Sequence, residues 1–135
     1  MSTQRHRIIE APGLAPAIGF AHAVAAAPGT VVYLGGQTAQ TAGGEIQGAT
    51  MAEQFDLAAR NLLTALNAAG GRPDHLVSLL VLVTDMKAYR AALTSLGEVW
   101  RTHFGRRYPA MALVGVSELF DPAAQVELMG VAVIP

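Results

Sequence analysis

The residue patterns that most often carry chemistry are missing from this chain, and their absence narrows the field first. There is no G-x-S-x-G elbow, no H-E-x-x-H helix and no phosphate loop; GGQTAQTAGGE, residues 35–45, has glycines but neither the lysine nor the spacing of one. The histidines stand at 6, 22, 75 and 103, with none paired at metal-ligand spacing, so a metal site is not expected. The absence of cysteine excludes disulfides, thiolate metal sites and a cysteine nucleophile. The remaining candidates sit at the ends and on the faces of strands. Gly35 and Gly36 close an extended run with backbone that a ligand can approach closely. Glu127 alternates with Val126 and Leu128, and Met111 lies in the apolar run YPAMALVGV, just after Arg106 and Arg107. A thioether brings no charge and no donor. The two arginines read most simply as a solvated helix end favoured by the helix dipole.

The elements that position these residues follow from local patterns. RHRII, residues 5–9, predicts a first strand; FAHAVAAA and TVVYLGGQTA predict two more, paired as a hairpin across the turn dipeptide Pro28-Gly29. Thr50 and Glu53 form a capping-box pattern that opens a helix. Its apolar face carries Phe55, Ala59, Leu62, Leu66 and Ala69, an Asp56–Arg60 pair lies elsewhere on it, and Gly70-Gly71 with Pro73 end it. LVSLLVLVT, residues 76–84, predicts a central strand buried on both faces. A second helix is expected from Asp85 to Phe104, with Leu93, Leu96, Trp100 and Phe104 on one stripe and a break near Thr94, where Ser95 and Glu98 repeat the capping-box spacing. Two more strands, AMALVGV and VELMGVAVI, follow around the turn ELFDPAAQ. The order predicts an α+β sandwich, a single domain over residues 1–135, with two helices packed on one face of a mixed sheet.

Composition sets the outer limits. Of the 135 residues, 52% are hydrophobic and 14% charged, an apolar excess for which self-association is the default outlet. A formal charge of −1 supplies no electrostatic footprint for nucleic acid. No apolar run approaches the roughly 18 residues of a membrane span, and the first residues lack a signal-peptide core, so a cytoplasmic protein without membrane partners is expected.

Taken in order, GFAHAV, VVYLGGQTA, QFDLAARNLLTALNAAGG, VLVTDM, YPAMALVGV and VELMGVAVI resemble the Rid superfamily, the reactive intermediate deaminases also called YjgF, over nearly the whole chain. The resemblance implies a chorismate-mutase-like fold, a homotrimer with three clefts between subunits, and hydrolysis of enamines or imines to a carbonyl compound and ammonia without metal or cofactor. In the deaminating members the block similar to YPAMAL has arginine where this chain has Met111, and that arginine grips the substrate carboxylate. Phe20 stands where those relatives have tyrosine. Glu127 matches a glutamate that holds or activates water near the imine carbon. Three readings of the altered cleft follow. Glu127 positions water beside Gly35 and Gly36 for addition to a less acidic C=N substrate. Alternatively, Phe20, Met111 and Leu113 form a hydrophobic pocket that binds an apolar or aromatic metabolite without turning it over. In the third, Arg106 or Arg107 swings in to contact an anion.

Overall fold

A computed structural model describes residues 5–135. Strand β1 (Arg7–Ile9) and strand β2 (Ala23–Ala25) form a small antiparallel ribbon. Four longer strands form the main sheet: β3 (Thr30–Gln37), β4 (Leu76–Val83), β5 (Ala110–Gly115) and β6 (Val126–Ile134), in the order β3-β6-β4-β5. β6 is antiparallel to both its neighbours, whereas β4 and β5 run parallel. The sheet is therefore mixed, as expected.

The expected hairpin across Pro28-Gly29 does not form. β2 pairs with β1, and β3 crosses into the main sheet beside β6. The reason lies in tight packing at the junction: a Cβ on Gly29 would sit 2.2 Å from the carbonyl oxygen of Ile134. The turn dipeptide serves a close crossing between two sheets rather than a reversal within one. His6 fastens the same corner. Its Nδ1 accepts the Ala27 N–H at 2.9 Å, so the ring proton is on Nε2 and is donated to Val133 O at 2.7 Å.

Helix α1 (Met51–Ala68) starts as its cap predicts, with Thr50 Oγ1 accepting the Glu53 N–H at 3.1 Å. Glu53 reaches one residue further back than the ideal box, to the Ala49 N–H. Phe55, Ala59, Leu62 and Leu66 are buried, but Ala69 is exposed beyond the helix end. Gln54, also buried, donates to Gly48 O and Ala123 O and accepts from Gln125 N–H, tying the loop before β6 to the helix. A short 3₁₀ turn, Pro73–His75, leads into β4.

The second helical segment is two helices rather than one, α2 (Met86–Ala91) and α3 (Leu93–Phe104). Asp85 caps α2 by accepting the Ala88 N–H, and the chain tightens at Ala92, whose N–H returns to Tyr89 O. The break thus falls before Thr94, and the Ser95–Glu98 spacing caps nothing. Leu96, Trp100 and Phe104 are buried as a stripe, while Leu93 is 58% exposed. Gly105, at φ 75°, ends α3 in a conformation that L side chains disfavour.

One sheet face carries the core. Leu79, Val81 and Val83 of β4 pack with Val126 and Leu128 of β6 and with the buried stripes of α1 and α3. β4 is central, but the expectation of burial on both faces fails: Leu80 and Leu82, pointing the other way, are only half-buried. The helices cover a single face, which leaves the alternate residues of every strand without a layer above them. Met129, 47% exposed, and Tyr33, 81% exposed, belong to that helix-free face.

Candidate functional site

Strand register sorts the candidate residues. Met111 lies opposite Leu79 and Leu113 opposite Val81, so both side chains share the face covered by helices. Phe20 reaches the same place from the connection between β1 and β2, held there by the Ala21 N–H donating to Pro109 O at 2.9 Å. His22 steadies that connection. Its ring contacts Ala15 O at 2.7 Å through Nε2 and meets Phe20 edge-on at 5.0 Å. Together Phe20, Met111 and Leu113 line a cleft of about 600 Å³, whose other walls are Ile18, Phe55, Tyr89, Leu96, Trp100 and Tyr108 among others.

The cleft has a rigid aromatic wall. Trp100 stacks between Phe104 at 4.1 Å and Tyr108 at 4.9 Å, and its indole N–H is already used on Arg107 O. Among the described residues no charged side chain lines the space, and the polar side-chain groups left to a ligand are the phenols of Tyr89 and Tyr108. Burial first, and the neighbouring Tyr108 second, push the Tyr89 hydroxyl above its ordinary pKa, which keeps it a neutral donor. Such a site suits an apolar ligand with a neutral hydrogen-bonding group.

Glu127 belongs to the other face. It lies opposite Leu82, so one sheet separates it from Met111. Its carboxylate rests against Gly36, where an added Cβ would come 2.9 Å from Cδ. The register shift between Leu34 and Gln37 explains the fit: Gly35 and Gly36 bulge out of the ladder opposite Met129. One subunit thus joins Phe20, Met111 and Leu113 in one place, and Glu127 with Gly36 in another. Gly35 has open space where a side chain would be.

Arg106 is exposed, and Arg107 donates from Nη2 to His6 O at 2.9 Å; neither lines the cleft. Among the described residues no group of three or more acidic or histidine side chains is arranged to hold a metal. Tyr89 and Tyr108 escaped the sequence reading. Their amphipathic rings were a usable signal, but only the folded chain points two such distant residues into one cavity.

The fold has counterparts. A Rid-family protein from Yersinia pestis, YyfB, is similar over 97% of this chain and 100% of its own, with 27% identity and a TM-score of 0.86. A member of the YjgF/YER057c/UK114 family from Mycobacterium tuberculosis is 29% identical over 87% of this chain and 88% of its own, at a TM-score of 0.64. RidA from an Antarctic Psychrobacter is 25% identical over 95% and 99% of the two chains, with a TM-score of 0.68. No curated protein matches the sequence. The sequence model of the endoribonuclease L-PSP family matches residues 10–134. The chain belongs to that family and, with these neighbours, to the Rid/YjgF superfamily.

Proposed function

We propose that this protein binds a neutral apolar or aromatic small molecule in the cleft of Phe20, Met111 and Leu113, and not the carboxylate of an amino-acid-derived imine. The supporting observation is the cleft wall: among the described residues it is aromatic and aliphatic, with two phenols and no cation. A carboxylate entering it would lose water and gain no guanidinium in return, a loss of several kcal/mol on the usual scale. Met111 offers polarisable contact in place of charge.

The same reading makes the protein a homotrimer whose neighbours complete each cleft. The half-buried and exposed apolar residues of the helix-free face, Tyr33, Leu80, Leu82 and Met129 among them, support association. Assembly also offers a way to bring Glu127 of one copy toward the cleft of another. That favours a second reading, in which Glu127 positions water for addition to a neutral imine. Water adds across C=N, the C–N bond then breaks, and a carbonyl compound and ammonia leave.

Two measurements separate the readings. Titration with the neutral fluorophore Prodan is expected to saturate, and Met111→Arg to weaken it about tenfold or more by placing a charge in the apolar wall. Absence of saturable binding overturns the ligand reading. With 2-iminobutyrate generated in situ, the wild-type protein is expected to leave its decay unchanged; rapid clearance overturns the neutral-ligand reading. Accelerated hydrolysis of a neutral imine, abolished in Glu127→Gln, establishes the second reading.

A further inference from the structure

Arg107 leads away from the cleft and into a separate cavity of about 160 Å³. Its wall comprises Arg5, His6, Arg72, Asp74, His75 and Arg107, with Pro135 at one side. These residues converge from the segment before β1, the connection between α1 and β4, the connection between α3 and β5, and the end of β6. Three of the nine lysines and arginines of a chain with net charge −1 therefore meet around one small space, against one acidic side chain. The ion pairs among the described residues are at Asp56, with Arg60 and His103, and none involves these guanidinia. Guanidinia gathered in excess over the one carboxylate, Asp74, repel one another, and an anion between them turns that repulsion into attraction.

Part of the wall, at His6, His75 and Arg107, is also held in place. Arg107 is anchored on His6 O, and His6 is locked by its two ring bonds. His75 Nδ1 accepts the Arg72 N–H at 3.0 Å, which leaves a neutral His75 with its Nε2–H to donate. Burial first, then Arg72 and His6, hold the His75 pKa below its ordinary value against the opposing pull of Asp74.

We infer that this cavity is a binding site for a phosphate-type oxyanion, either inorganic phosphate or the phosphoryl end of a small metabolite. Guanidinium forks match such oxygens two at a time, and a phosphoryl group presents more acceptors to several donors than a carboxylate does. The space equals that of about five waters at roughly 30 Å³ each, enough for a tetrahedral anion. Nothing in the cleft of Met111 takes part.

The test is an NMR titration of the full chain at pH 7.5 with sodium phosphate and, in a second arm, methyl phosphate, each against sodium chloride of equal ionic strength. Saturable shifts centred on Arg72, His75 and Arg107 are expected from a phosphate compound and not from chloride. Arg72→Gln, which removes an exposed guanidinium but keeps the backbone bond to His75, is expected to weaken binding about tenfold; Asp74→Asn is expected to tighten it. Binding of phosphate alone identifies the free ion as the ligand, and equal or tighter binding of methyl phosphate identifies a metabolite. Shifts that chloride reproduces, or an affinity unchanged in both Arg72→Gln and Arg5→Gln with the spectrum otherwise native, overturn the site.

Discussion

At Gly36 a single missing Cβ makes room for a carboxylate. The atoms nearest to an added methyl are Cδ, Oε1 and Oε2 of Glu127, at 2.9 to 3.1 Å, the free end of a flexible side chain. Gly36→Ala is therefore expected to move Glu127 while costing less than about 1 kcal/mol in urea unfolding; the displacement is read from the Glu127 side-chain carbon shift. Gly29→Ala meets only backbone, of Ile134 and Pro135, and no rotamer change relieves that clash. Its expected cost is about 2 kcal/mol or more by the same measurement. His75 supplies a pH signature. Its folded-state pKa lies below 6.5, so between the two values the unfolded chain binds more protons. This contribution is fully present above pH 6.5 and is lost as pH falls through the folded value. Urea midpoints at pH 7.5, 6.5 and 5.5 are expected to fall less steeply in His75→Asn, which can keep an acceptor for Arg72 N–H but cannot titrate.

Elements carry the packing that holds the cleft open. Trp100, buried on α3, stacks with Phe104 and Tyr108 and donates its N–H to the chain at Arg107, just before β5. Trp100→Phe keeps an aromatic ring there but loses that bond. The expected cost is about 1 kcal/mol in urea unfolding followed by circular dichroism. How elements form was largely legible in the sequence, because caps and periodicity are local: Thr50 opens α1, Gly105 closes α3, and the buried positions of α1 follow helical spacing to Leu66. How they pair was not. Pro28-Gly29 has the chemistry of a turn, yet the partner of β3 lies about a hundred residues away, at Val131 to Ile134. The split at Ala92 falls near the expected Thr94, but backbone closure onto Tyr89, not a side-chain cap, makes it.

For the whole molecule, the main question is where a chain that is 52% hydrophobic puts its apolar surface. Helices cover one sheet face, and the other presents Tyr33, Met129 and the outward residues of β4. If the proposed trimer uses that face, light scattering gives three times the chain mass for the wild-type protein. Tyr33→Glu, at an 81% exposed position, is then expected to give a single chain mass with an unchanged circular dichroism spectrum. A wild-type monomer counts against the trimer.

The sequence by itself determined the kinds of elements, most of their limits, the apolar excess and the resemblance to the superfamily, since each depends on neighbours a few residues apart or on the order of short blocks. Alternation also told that Glu127 faces away from Val126 and Leu128. Only the tertiary structure decided that Met111 and Glu127 lie on opposite faces of one sheet, that Tyr89 and Tyr108 share a cavity, and that Arg5, Arg72 and Arg107 share another. Period-two alternation distinguishes two faces of a strand but does not name the strand beside it or the layer above it; those follow from contacts between distant segments, which packing selects.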